Sequence, residues 1–343
     1  MRVLFIVNAI RSLRPTYTSS LLAFAAMRRG HDVAFASVDE LSYESGLSGR
    51  IVRVVAAQDS SEMVKNLHHS AMPSEEVSLT EFDVVFLRNN PLFAESRGIR
   101  FNPALEFGRR LKEAGLLVLN DPEGLRRAGS KMYLSAFPAS VRPRTLITCS
   151  PDRVHAFLRE ARGSAVIKPL QGYGGQNVFL LERKDQDNWE SIVSTVRSGG
   201  YFIVQDYVAA ASRGDKRVLL VGGVPLMAKG RVAVYRRVHA LGELRNNMHI
   251  GASRRRCYLT PSERELCELV RPRLMADGLY FVGLDIAGDK ILEINVFAPG
   301  GIHNMNELYG VDLGDTVIAD LERRMTIRSS YHEPMPTHVF MRG

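Results

Sequence analysis

Residues 283–296, Gly-Leu-Asp-Ile-Ala-Gly-Asp-Lys-Ile-Leu-Glu-Ile-Asn-Val, constrain the fold of this chain more than any other stretch. Two apolar runs flank a Gly-Asp turn, the pattern of a β-hairpin with both strands largely buried. Side chains alternate across a strand, so Glu293 and Asn295 share a face. Asp285 joins that face if the hairpin loop holds an odd number of residues, for instance Ala287-Gly288-Asp289. Two carboxylates and an amide oxygen gathered there repel one another unless a cation sits among them. Oxygen ligands without His or Cys suit magnesium, usually shared with nucleotide phosphates. A solvated hairpin with its polar residues turned outward is the competing reading of the same residues.

At 343 residues the chain suits two or three packed subdomains rather than one small core. Hydrophobic content of 45% with 24% charged residues is that of a globular protein. The longest apolar runs, such as Val3 to Val7, are too short to span a bilayer, and the N-terminus lacks a full signal-peptide core. A cytoplasmic location with no membrane partner is the expectation. Cys149, Cys257 and Cys267 cannot all pair within one chain and have no metal-ligand spacing, so they read as structural thiols. The net charge of +8 invites a nucleic-acid partner, yet no finger, long basic tract or basic-aromatic motif accompanies it, and none is expected. Only 8 of the 45 basic residues are Lys. Arg grips carboxylate and phosphate through paired hydrogen bonds, which fits a small anionic ligand, and each remaining Lys is worth inspection.

Strands at 2–7, 31–37, 82–87 and 116–119 alternate with helices at 19–29 and 104–114, which predicts an open parallel α/β sheet over residues 1–121. Ligands collect at the carboxyl ends of such strands, where Asn8 and the Arg88-Asn89-Asn90-Pro91 segment lie. A second section follows, with a helix at 151–162 and a strand at 164–169 ending in Lys168-Pro169. The segment after it, Gln171-Gly172-Tyr173-Gly174-Gly175-Gln176, joins two strands without opening a helix, so it is neither a Walker loop nor a dinucleotide fingerprint. It reads as a hairpin flap whose backbone N–H groups can hold phosphate oxygens. A helix at 188–198, a strand at 201–208 and a hairpin over 215–228 come next. Thr260 and Glu263 form a capping box ahead of a helix that runs to Asp277. The carboxylate hairpin closes an antiparallel section, a last helix spans 312–324, and the tail from Thr326 reads as irregular.

In this order, the blocks Lys168-Pro169-Leu170-Gln171-Gly172-Tyr173-Gly174-Gly175, Gly214-Asp215-Lys216-Arg217-Val218-Leu219 and Phe281 to Val296 resemble the ATP-grasp superfamily, specifically the bacterial glutathione synthetases. The resemblance implies an N-terminal α/β domain (1–121), an ATP-grasp lid subdomain (122–205), a C-terminal catalytic subdomain (206–325) and a tail (326–343). It further implies ATP as phosphoryl donor, an acyl-phosphate intermediate, and amide formation on an amino acid or small peptide, in a homodimer or homotetramer. By position, Lys131 and Lys168 face the ATP phosphates, and Gly172, Tyr173, Gly174 and Gly175 form the flap over them. Gln205, Asp206, Tyr207 and Val208 supply the adenine hinge and Asp215 the ribose contact. Asp285, Glu293 and Asn295 hold two Mg2+ ions, with Mn2+ as an alternative. Arg217, Arg231, Arg245 and Asn247 stand at the reaction centre, Arg231 being chosen from among Arg231, Arg236 and Arg237.

The substrate loops depart from the family pattern. After the metal Asn, the family's Thr-Ser-Pro-Thr is here Val296-Phe297-Ala298-Pro299-Gly300-Gly301, so two hydroxyls that could hold an acceptor carboxylate are gone. Asn8, Arg88, Asn89, Pro299, Gly300 and Gly301 are the candidate substrate contacts. Three readings follow: a ligase redirected to another amino acid or peptide, an authentic glutathione synthetase joining γ-glutamylcysteine to glycine, and an ATP-binding module without chemistry. The intact set of Arg217, Asp285, Glu293 and Asn295 disfavours the last.

Overall fold

The structure is a computed structural model that describes residues 1–69, 73–91, 102–161, 163–170, 177–182, 186–197, 200–238, 253–331 and 337–340. The first sheet contains β1 (Arg2–Val7), β2 (Asp32–Tyr43), β3 (Leu47–Arg53), β4 (Ser74–Ser78), β5 (Val84–Leu87) and β6 (Leu117–Leu119), in the order β4-β3-β2-β1-β5-β6. Its centre, β2-β1-β5-β6, is parallel as the apolar runs predict. Phe5 pairs with Phe35 on one side and Phe86 on the other, and the rings stack with centroids 5.3 and 4.9 Å apart. At the other edge β3 and β4 are antiparallel, which the sequence reading does not contain. In β3 buried Leu47, Gly49 and Ile51 alternate with half-buried or exposed residues, and β4 is almost wholly exposed, so neither forms an apolar run, as suits strands with one wet face. Helices α1 (Thr18–Arg28), α2 (Ser60–His68) and α3 (Pro103–Glu113) pack around this sheet, followed by the short α4 (Pro122–Arg127).

The second sheet, β7 (Thr145–Thr148), β8 (Ala165–Pro169), β9 (Phe179–Leu181) and β10 (Phe202–Asp206), is antiparallel in the order β7-β10-β8-β9. Ile167, Phe202 and Val204 turn toward α5 (Pro151–Glu160) and α6 (Gln186–Arg197), where they pack with Phe157, Trp189 and Val193. Period-2 alternation therefore sends Lys168 and Gln205 to the opposite face.

The third sheet positions the site. It comprises β11 (Asp215–Val221), β12 (Val224–Pro225), β15 (Val234–Val238), β16 (Ser253–Arg256), β17 (Phe281–Ala287) and β18 (Lys290–Asn295), with order β16-β15-β11-β17-β18 and β12 beside β11. A separate ribbon pairs β13 (Met227–Ala228) with β14 (Arg231–Val232). On one face Val218, Leu220, Val282 and Leu284 share a core with Leu266, Cys267, Val270 and Leu274 of α7 (Pro261–Ala276). The predicted capping box is present, and Glu263 also accepts from Lys216 Nζ at 2.6 Å. On the other face Leu219 and Phe281 pack with Ile302 and Met305 of α8 (Ile302–Tyr309) and with α9 (Leu313–Ser329).

The tail expected to be irregular from Thr326 is not so throughout. Helix α9 continues to Ser329, and α10 (Thr337–Phe340) returns to bury Phe340, whose carbonyl accepts from Arg324 Nη1 at 3.0 Å. An apolar residue so near the end of a polar stretch gives too little periodicity to be read as a docked element. Among the described residues no helix is long and apolar enough to cross a membrane.

Candidate active site

The hairpin β17–β18 turns through two residues, Gly288 and Asp289, with Ala287 opposite Lys290. Gly288 has φ +58°, the left-handed conformation such a turn requires. The expected odd-numbered loop is thus absent; parity is supplied elsewhere. Ile286 pairs with Ile291 but Asp285 pairs with Glu293, so Leu292 is the extra residue of a β-bulge. Without that bulge Asp285 would lie opposite Leu292. With it, Asp285, Glu293 and Asn295 share one face.

Register across the sheet brings further groups to that face. Arg217 lies beside Asp285 and Tyr235, and Asp215 beside Arg237. Arg217 donates through Nε and Nη2 to the two oxygens of Asp285, the latter at 2.9 Å. Arg237 Nη2 also reaches Asp285 Oδ2, at 2.8 Å, while Arg237 Nε and Nη2 hold Asp215 at 2.7 and 2.5 Å. Asn295 Nδ2 completes the cluster at 3.3 Å from Asp285 Oδ2. Burial alone would push Asp285 up, but Arg217 and Arg237 overcome it and hold the carboxyl at about 2. Asp285 is therefore a carboxylate throughout the physiological range, as a hard-cation ligand must be. Burial raises Asp215 against the pull of Arg237.

The donor set fits a divalent cation shared with phosphate. Its ligands are all oxygens, and among the described residues no three His, Cys, Asp or Glu side chains could hold a metal by themselves. Oxygens from a bound phosphate would complete the shell.

Facing this cluster are the two lysines. Lys168 Nζ donates to Gln205 Oε1 at 3.2 Å, and Gln205 Nε2 donates to Thr145 Oγ1 at 3.0 Å. Burial lowers both Lys168 and Lys131, and the nearby Glu293 carboxylate pulls both back up. Lys131 opens a 3-10 turn, Lys131–Ala136, anchored by Tyr133 Oη donating to Asp277 at 2.7 Å. The positions expected to read adenine are partly engaged already. Asp206 pairs with Arg144 at 3.2 Å, the Tyr207 N–H donates to Ser164 O at 2.9 Å, and Val208 O accepts from Ala211.

Arg231 is exposed on the separate ribbon and lines a surface cleft of about 360 Å³ with Tyr258 and Arg264. The structure brings Arg237, not Arg231, to Asp285. The signal was Arg236-Arg237 inside an otherwise apolar strand, but which arginine faces Asp215 depends on register with β11, which the sequence does not state. Gly172, Tyr173, Gly174, Gly175, Arg245 and Asn247 lie outside the described residues.

The candidate substrate contacts meet between the first and third sheets. Arg88, at the carboxyl end of β5, donates from Nε to Ser19 Oγ and from Nη2 to Pro299 O, each at 3.1 Å, and lies over the Phe281 ring at 5.4 Å. Burial pushes its guanidinium down to about 9. Asn8 Oδ1 accepts from the Asn90 N–H, and Asn89 Nδ2 donates to Asn102 Oδ1. The next carbonyl of the loop, Gly300 O, accepts from Arg217 Nη1 at 3.1 Å. Gly301 has φ +140°, and a Cβ there would meet the Tyr235 ring at 3.4 Å. Asn120, missed in the sequence, fastens the hairpin to the first sheet. Its Nδ2 donates to Phe281 O and Val296 O at 2.9 and 2.6 Å, and its Oδ1 accepts from the Phe281 N–H at 2.7 Å.

Residues 130–310 match the ATP-grasp domain of prokaryotic glutathione synthetase, and residues 1–126 match its N-terminal domain. The chain is 36% identical over 330 residues to the glutathione synthetase of Synechococcus elongatus, covering 94% of this chain and 98% of that one. Against the glutathione synthetase of Vibrio cholerae the identity is 30% over 323 residues, covering 93% and 96%. Among solved structures, D-cycloserine synthetase DcsG aligns with TM-score 0.61 at 16% identity, over 93% of this chain and 99% of that one. The macrocyclase MdnC of Microcystis aeruginosa, bound with precursor peptide MdnA, aligns with TM-score 0.60 at 16% identity, over 94% and 100%. At such identities these two report the fold alone.

Proposed function

Since the chain belongs to the prokaryotic glutathione synthetase family and is an ATP-dependent ATP-grasp C–N ligase for an amino-acid or peptide substrate, we propose that the Asp285-centred face is its reaction centre. The observation that carries this is the convergence of Arg217, Arg237, Asp285 and Asn295 on one face, with Lys131 and Lys168 close enough to feel Glu293. Lys168 and Lys131 are the cations for the phosphates of ATP. Asp285, Glu293 and Asn295 would hold Mg2+, which when bound neutralises charge on the transferring phosphoryl group.

A carboxylate is inert to amines until one of its oxygens becomes a leaving group. Phosphoryl transfer supplies that, and attack by an amine on the acyl carbon then expels phosphate. Arg217 and Arg237 are placed to stabilise the negative charge that develops on the phosphoryl and acyl oxygens, and their carboxylate partners hold them there beforehand. Gly300 O positions Arg217 from the substrate side.

For the substrate we favour an acid–amine pair other than γ-glutamylcysteine and glycine, because the loop at 296–301 offers backbone carbonyls to Arg88 and Arg217 and carries no hydroxyl side chain. The 30–36% identity to proteins named glutathione synthetase supports the authentic reaction as the second reading. Incubation with ATP, Mg2+, γ-glutamylcysteine and glycine, followed by mass spectrometry, separates them. Glutathione as the efficient product would refute the redirected acceptor. ADP release that ignores every acid and amine offered would refute the assignment of this face as a ligase centre.

A further inference from the structure

We propose that Arg88 reads a free, non-reacting carboxylate on the substrate, and so restricts the enzyme to amino acids or short peptides that keep such a group and excludes their amides. This rests on the ligase reading above and adds the substrate class to it.

The first ground is an unbalanced charge. Four cationic side chains are buried among the described residues: Arg88, Lys216, Arg217 and Arg324. Three have a carboxylate in contact. Lys216 meets Glu263 at 2.6 Å, Arg217 meets Asp285, and Arg324 meets Asp320 at 2.6 Å. Arg88, 7% exposed, has only neutral partners among the described residues, namely a hydroxyl, a carbonyl and an aromatic ring. A buried cation without an anion keeps the penalty of its lost hydration, which a ligand carboxylate would relieve. Its hydrogen bonds to described residues use Nε and one proton of Nη2, so the end of the fork formed by Nη1 and the other Nη2 proton is left for two carboxylate oxygens.

The second ground is the surrounding chemistry. Five buried side-chain polar atoms lack a hydrogen-bond partner among the described residues, and two of them, Asn89 Oδ1 and Asn102 Nδ2, belong to an amide pair that begins at the residue after Arg88. Asn89 Nδ2 donates to Asn102 Oδ1, which leaves the other polar atom of each amide open. Buried polar groups are normally satisfied, so this open amide pair marks a place beside Arg88 where a polar ligand fits.

The third ground is distance. Arg88 and Arg217 donate to neighbouring carbonyls, Pro299 O and Gly300 O, so their donor groups stand at most about 12 Å apart. A single amino acid or a peptide of two or three residues bridges that span, with one end at the reaction centre and a carboxylate at Arg88.

The test uses the full chain with Mg-ATP and measures ADP release over a panel of free amino acids and dipeptides, γ-glutamylcysteine included. Each compound is offered as the free acid and with its non-reacting carboxylate converted to the carboxamide. The parent should prefer the acid by about 100-fold or more in kcat/KM, and Arg88→Gln should shrink that preference to about threefold or less. Arg88→Lys, which keeps the charge but loses the fork, should raise KM for the acid about tenfold or more while moving kcat far less. It also carries the test if the Gln variant fails to fold by circular dichroism. Equal use of acid and amide by the parent, or a preference that survives in Arg88→Gln, would overturn the inference and leave the ligase reading standing. No ADP from any acid–amine pair, with Mg-ATP still bound, would instead sink the ligase reading and this inference with it.

Discussion

Arg237 is the residue whose removal tests the site most directly, because it holds two buried carboxylates at once. Asp285 keeps Arg217 when Arg237 is truncated to Met, but Asp215 loses both of its close hydrogen bonds. Asp215 is only 5% exposed, so its charge is left buried without a hydrogen-bonded cation, offset only by the field of Arg217. Breaking a buried pair from one side costs about 3–5 kcal/mol, and that is the expected loss by urea denaturation at pH 8. The sign of the pH dependence follows from Asp215. Burial already raises its carboxyl, and without Arg237 it rises further above the unfolded value. The folded state then binds more protons than the unfolded one, so stability is kept at low pH and lost as pH rises through the folded value. The deficit of Arg237→Met should therefore grow from pH 5 to pH 8. Adding Asp215→Asn removes the orphaned charge and should recover most of the stability. ADP release should fall by about 10²–10³ in Arg237→Met and stay low in the double variant, since the charge-stabilising donor is still missing. A pH-independent deficit, or no recovery with Asp215→Asn, would show that Arg237 is not the counterion of Asp215.

Three other outcomes are expected. Gly214 has φ +89°, and a Cβ there would sit 1.9 Å from Arg237 O, so Gly214→Ala should lower stability by at least about 2–3 kcal/mol and depress ADP release by shifting the strand that carries Arg237, read by urea melts and turnover together. Lys168 loses its proton below the ordinary lysine range because burial disfavours its charge, so Mg-ATP affinity should decline on an alkaline limb below about 10.4; Lys168→Arg should move that limb upward, and calorimetry across pH checks it. Asn120→Ala removes three buried hydrogen bonds between the first sheet and the hairpin and should cost about 2–4 kcal/mol, with Asn120→Asp recovering little because a carboxylate cannot donate to the two carbonyls.

Much of this molecule can be read from local pattern. Apolar runs and turn residues locate the four parallel strands, the capping box at Thr260 and the hairpin at 283–296, because burial, period-2 alternation and turn chemistry all act over a few neighbouring residues. Residue type and alternation also single out Asp285, Glu293 and Asn295, and the glycine-rich flap draws attention to Lys168, whereas Lys131 and Arg217 are indicated only by the family resemblance. The bulge at Leu292 that sets Asp285 on the same face as Glu293, the placement of Arg237 rather than Arg231 beside Asp285, and Asn120 fastening two sheets are visible only in three dimensions. So is the surrounding of Arg88, among the described residues, by neutral partners. Each of these depends on which residue of one strand lies beside which residue of another, often more than a hundred positions away. Local propensity carries no record of that register, and the packing of the three sheets creates it.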